Sequence, residues 1–190
     1  MIEQLKSLLH NAAHLRKSGE AAEAERLYKE AAAQAEADQA VERAEALAGL
    51  AQTRRDAGDR TGAAIYYAEA ITLARAANDD RMLAYALRHA ADVRSELHEY
   101  AVAFSHIDEA IRLYRALLTT EQPPTLDLAN ALRVSALNNE RAACAAWHET
   151  RTLYAAVASG DTADDAGVRE SAAHLHNLSE HHAAHCEAKS

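Results

Sequence analysis

Four times along the 190-residue chain the same pattern of small and large side chains returns, and this periodicity limits the fold more than any single residue does. Ala24, Ala63, Ala103 and Ala143 stand in one register. Tyr28, Tyr67, Ile107 and Trp147 follow them, and then Ala31, Ala70, Ala110 and Thr150. A second set, Ala12, Ala51, Ala91 and Ala131, keeps step, and successive spacings are 39, 40 and 40 residues. A unit this short cannot bury its own apolar face, so its repetition implies stacking of each unit on the next.

The clearest copy runs from Leu47 to Leu73. Its first half carries Leu47, Leu50 and Ala51 on one helical face and stops at Gly58, the residue type that accepts the left-handed backbone past a helix end. Asp59 or Thr61 can cap the second half, which places Ala63, Tyr67, Ala70 and Ile71 at three- and four-residue spacing. The unit is a helical hairpin. Composition agrees, because much of the 49% hydrophobic content is alanine and there are only six glycines and two prolines. Alanine is the best helix former and lets helices approach closely, whereas a β-protein needs more turn residues. An all-α chain is expected.

Taken in order, the hairpins are expected over about 2–38, 40–78, 80–119 and 125–159, in one domain spanning 1–190. The first has Leu5, Leu8, Leu9, Ala12 and Leu15 before a break at Ser18-Gly19-Glu20, and then Ala24, Leu27, Tyr28 and Ala31. The second ends at Asn78-Asp79-Asp80, where the last aspartate can cap the next helix. The third turns at Leu97-His98-Glu99-Tyr100 without glycine. Pro123-Pro124 interrupts the helical pattern, and Thr125 or Asp127 restarts it. The fourth turns at Asn138-Asn139, and a break at Ser159-Gly160-Asp161 precedes a last helix over about 162–187. With no partner after it, that helix should cap the final hairpin.

Small residues at the helix crossing, with a large one four positions further on, resemble the tetratricopeptide repeat. The resemblance covers about Leu5 to Ala158. The period of about 40 exceeds the usual 34, so longer helices are expected, the second of each pair above all, as in the variety found in kinesin light chains and many bacterial regulators. The common proline at the repeat end is absent, and Leu8, Leu47, Leu87 and Asp127 stand where the family has a large aromatic. The resemblance implies an α-α superhelix, a solenoid of four helix-turn-helix repeats plus a C-terminal capping helix. Its concave groove would be lined by first helices and would bind a peptide segment of another protein. A regulatory module whose groove takes a small effector or signalling peptide and controls assembly is the alternative.

By that geometry Lys6, Arg16, Arg55, Tyr85, Arg88 and Asp92 face the groove, with Arg54 and Arg94 near the helix ends. Forked guanidinium groups suit carboxylates, so an acidic peptide or a free C-terminus is the expected ligand. The competing reading pairs these arginines with Glu45, Asp56, Asp59, Asp92 and Glu96. Near the C-terminus, His181 and His185 share a helix face, as do His182 and Cys186. Each pair could hold a transition metal, but two ligands do not close a site, and burial of His182 and Cys186 explains them as well.

No phosphate loop, nucleophile elbow or Cys-x-x-Cys accompanies these residues, so neither an enzyme nor a cofactor is expected. Cys144, within Ala-Ala-Cys-Ala-Ala-Trp, reads as an inert buried thiol. The net charge of −9 argues against a nucleic-acid binder. Two cysteines fit a reducing cytoplasm. The opening MIEQLKSLLHNAAHL lacks the apolar core of a secretory signal, and no stretch approaches the length of a membrane span. Tyr66, Tyr85 and Tyr100 are expected at the surface, where an uncovered first-repeat end could pair two copies into a homodimer.

Overall fold

Helix after helix forms where the apolar spacing places one. The computed structural model describes residues 2–119, 123–138, 143–159 and 166–187, with the side chains of 143–146, 166–167 and 185–187 outside that description. Among the described residues all regular structure is helical: α1 (Ile2–Lys17), α2 (Ala21–Gln34), α3 (Ala40–Asp56), α4 (Arg60–Ala76), α5 (Asp80–Glu96), α6 (Tyr100–Leu117), α7 (Thr125–Asn138), α8 (Ala143–Ser159) and α9 (Ala166–Glu187). They fall into two compact units, divided between Glu99 and Tyr100.

In the first unit, neighbouring helices pack in succession from α1 to α5. The first helices also touch one another, α1 on α3 and α3 on α5, whereas α2 and α4 have no comparable contact. One layer is thus drawn together more tightly, and the side bearing α1, α3 and α5 becomes the inner face of this unit. Helix α3 lies among all four of the others, which is why it buries Ala44, Ala46, Leu47, Ala48, Gly49, Leu50, Ala51 and Thr53 rather than one stripe.

The turns explain how hairpins this tight are made. After α1, α3, α4 and α5 the chain enters the left-handed region at Gly19 (φ 88°), Gly58 (φ 85°), Asn78 (φ 54°) and His98 (φ 62°). At each the two backbone bonds of a Schellman closure form, as in Gly58 N–H to Arg55 O (2.9 Å) and Asp59 N–H to Arg54 O (2.9 Å). After Gly58 and Asn78 the next residue caps the following helix. Asp59 accepts from Gly62 N–H at 2.8 Å, and Asp79 accepts from Met82 N–H at 2.7 Å. Asp79 is therefore the cap, not Asp80, which already lies in the first turn of α5. Asp79→Ala should lower stability by about 1 kcal/mol, read as a shifted urea midpoint with an unchanged slope.

In the second unit α6 packs on α7, α7 on α8 and α8 on α9. Ala129, Tyr154, Val157 and Ala172 form one cluster, and Ala136, Trp147 and Ala183 another, so α9 covers the apolar face that α8 leaves open. Helix α7 starts at Thr125, with Pro124 O accepting from Leu128 N–H at 2.9 Å. The expected turn at Asn138-Asn139, part of the break before Pro123 and the break after Ser159 fall on residues 120–122, 139–142 and 160–165, outside those described.

Every described position of the repeat register is buried. Ala12, Ala51, Ala91 and Ala131 are fully covered, as are Ala24, Ala63 and Ala103, while Tyr28, Tyr67, Ile107 and Trp147 expose at most 5%. Ala31, Ala70, Ala110 and Thr150 are likewise fully covered. One expectation needs correction. The second helix is not longer in every pair: α2 has 14 residues against 16 in α1, α3 and α4 have 17 each, and α6 has 18 against 17 in α5. The excess over the common period is shared between both helices, because the two must span the same hairpin.

Candidate functional site

On the inner face of the first unit, polar side chains from α1, α3 and α5 meet across the helix seams. Arg16 Nη1 donates to Asp56 Oδ2 at 2.9 Å. Thirty-nine residues on, Arg55 Nε donates to Glu96 Oε1 at 2.9 Å, and its Nη1 reaches Asp92 Oδ2 at 3.4 Å. The register reproduces one rung in two successive seams. Glu96 also accepts from Arg60 Nε at 2.9 Å. Partial burial works against its charge, but Arg55 and Arg60 outweigh that and hold the Glu96 carboxyl below its ordinary range.

A second, more enclosed group lies beside this ladder. Gln52 Nε2 donates to the Tyr85 hydroxyl at 2.8 Å and lies 3.2 Å from His89 Nε2. Arg88, only 8% exposed, brings Nη2 to 2.9 Å from the same His89 nitrogen and sets its guanidinium 5.7 Å from the Tyr85 ring centre. The His89 ring stacks on Tyr67 of α4 (6.1 Å, 7°) and meets Tyr85 edge-on (4.6 Å, 65°). Tyr67 is fully buried, and burial raises its hydroxyl well above the ordinary phenol range. That hydroxyl has no hydrogen-bond partner among the described residues.

Of the residues singled out from the sequence, Arg16, Arg55, Tyr85, Arg88 and Asp92 come together here. Lys6 lies apart, exposed and 3.8 Å from Glu3. Arg54 bridges Glu25 (2.6 Å) and Asp59 (3.4 Å), and Arg94 reaches Glu99 (2.5 Å), so both lie at the turns. Asp56, Asp59, Asp92 and Glu96 accept from arginines, whereas Glu45 is not among these arginine pairs. Gln52 and His89 were not read from the sequence at all. Their signal was the register itself: His89 stands forty places after Gly49, and Tyr28 packs on Gly49 as Tyr67 stacks on His89.

In the second unit, half-buried Arg133 on α7 has no carboxylate partner among the described residues. His182 stacks on Trp147 (4.4 Å, 10°), with His181 edge-on to it at 5.9 Å. His176 Nδ1 lies 3.0 Å from Arg151 O. The side chains of Cys144, His185 and Cys186 lie outside those described. Among the described residues no three His, Cys, Asp or Glu side chains are arranged to hold a metal, and no helix is long and apolar enough to cross a membrane.

The arrangement matches known helical-repeat structures. A Podosopora anserina protein described as a kinesin light chain with nearly identical TPR-like repeats aligns over 96% of this chain and 96% of its own, at TM-score 0.57 and 15% identity. BtubC (BKLC) from P. vanneervenii aligns over 98% of this chain and 81% of its own, at TM-score 0.54 and 16% identity. No family profile and no curated protein matches the sequence. The fold is a TPR-like stack of helical hairpins. At these identities the likeness establishes the fold alone.

Proposed function

We propose that the chain is a protein-interaction module whose inner face on α1, α3 and α5 receives an extended, acidic segment of a partner protein. The observation that carries this reading is the row of Arg16, Arg55, Arg88, Gln52 and Tyr85 on one face. It combines forked cations, amide and hydroxyl donors and an aromatic platform, the mixture that fixes a peptide backbone and its carboxylates. At Arg16 the intramolecular carboxylate does not block such a ligand. Asp56 is 55% exposed in its pair with Arg16, and pairs of that kind contribute no more than about 1 kcal/mol. A partner carboxylate can therefore exchange for Asp56 at little cost.

Photo-crosslinking tests this directly. A benzoylphenylalanine placed at half-buried Tyr85 should trap a partner in cells. The same group at Ile65, which is 56% exposed on α4, should not. Trapping from Ile65 but not from Tyr85 would move the interaction off this face. A synthetic peptide of the trapped segment should raise the melting temperature of the chain, because a ligand of the native state stabilises it.

A further inference from the structure

His89 offers one ring nitrogen to donors on two different helices. Its Nε2 lies 2.9 Å from Arg88 Nη2 and 3.2 Å from Gln52 Nε2. A guanidinium has donors and no acceptor, so Nε2 must carry the lone pair and the ring proton must sit on Nδ1. Turning the Gln52 amide over would not alter this, because Arg88 alone determines it. Among the described residues, the one carboxylate facing the ring is already paired with an arginine. Arg16 faces it from α1, Gln52 and Arg55 from α3, Tyr67 from α4, and Tyr85, Arg88 and Asp92 from α5 itself. Asp92 is engaged by Arg55, as Asp56 is by Arg16.

We propose that His89 is an acid-sensitive latch in the α3–α5 seam, its bare Nε2 joining Gln52 to Arg88 at neutral pH and ejecting both when it takes a proton. Protonation turns the acceptor that Gln52 and Arg88 share into a third donor and adds a cation beside Arg88 and Arg55. The Gln52–His89 link is lost, the Tyr67 stack is strained, and the wall of the inner face loosens. The device depends on where His89 sits, not on what occupies the face, so either proposal can fail alone.

Enclosure, and after it the charges of Arg88, Arg55 and Arg16, hold the His89 imidazole well below its ordinary range. The unfolded chain takes up that proton near about pH 6.5 while the folded chain does not, so the unfolded state binds more protons below that value. Stability therefore falls as pH falls through this window. The loss grows until the lower, folded-state value is reached.

The test uses the full chain. Urea unfolding of the wild type and of His89→Gln, which keeps an acceptor but cannot titrate, should diverge below about pH 6.5. There the wild-type folding constant should drop by up to about tenfold more per pH unit than that of the variant. Amide exchange in α5 should quicken over the same range. Parallel curves would overturn the proposal. Should His89→Gln fail to fold, nitrogen-15 imidazole spectra of the wild type decide, with the ring assigned by its contacts to Tyr67 and Tyr85. A bare Nε2 that resists protonation through about pH 6 supports the latch, and a proton on Nε2 at neutral pH, or titration near 6.5, refutes it.

Discussion

Replacing Tyr67 by alanine should lower stability by about 3–5 kcal/mol, whereas replacing it by phenylalanine should raise stability by about 1 kcal/mol. The first effect follows from position. Tyr67 is fully buried where α4 meets α5, and its ring supports the His89 ring from below. Truncation removes the ring contacts and leaves a cavity in a closely packed interior. The second effect follows from the hydroxyl, which is desolvated and meets no partner among the described residues. Phenylalanine keeps the shape and relieves that desolvation. Chemical denaturation of the pair of variants checks both signs, and a Tyr67→Phe variant weaker than the wild type would mean that the hydroxyl bonds in a way the packing does not reveal.

Gly49→Ala should destabilise the protein by about 1–3 kcal/mol, against the usual rule. In an exposed helix interior the same change gains about 0.5–1 kcal/mol, because glycine has more backbone freedom to lose. Here a β-carbon on residue 49 would be driven into the Tyr28 ring, with Cδ1 at only 2.7 Å and Cε1 and Cζ closer still. Tyr28 is 4% exposed and has nowhere to turn. Either α2 moves away from α3 or the ring leaves its rotamer, and both are overpacking costs. A double variant, Gly49→Ala with Tyr28→Ala, should lose less than the sum of the two, since each relieves the other. Additive losses would show that the ring is not what residue 49 must accommodate.

These two positions mark how far the sequence could be read. The alanines and large residues of the register announced the hairpins because burial at a fixed period leaves a fixed trace, and every described member of that register proved to be covered. The arginines and four of their five candidate carboxylates were legible from the sequence, but which pairs with which was not. Arg16 finds Asp56 and Arg55 finds Glu96 across helix seams, where partners about forty residues apart are set by packing rather than by local spacing. Gln52 and His89 were invisible for a related reason: each is unremarked on its own helix, and only the approach of α3 to α5 makes them neighbours. The cap falls on Asp79 and not on Asp80, the last aspartate of the turn, since the decision rests on which backbone enters the left-handed turn, and Asn78 fixes that. Helix length was misjudged because the period reports only the sum of the two arms.

The rung that links Arg16 to Asp56 recurs between Arg55 and Glu96, and it works as a gauge for the chain. Helices α3 and α5 begin at Ala40 and Asp80, one full unit apart. Cutting out 40–79 would therefore set Arg16 opposite Glu96, a carboxylate for a carboxylate, with the seam still matched. Losing a single residue from the turn at Gly58 would shift the helices after it against α3, where Arg55 meets Glu96. Ser95 stands forty places after Arg55, so the series has no further guanidinium to extend it, and growth by copying would have to proceed from the units before it.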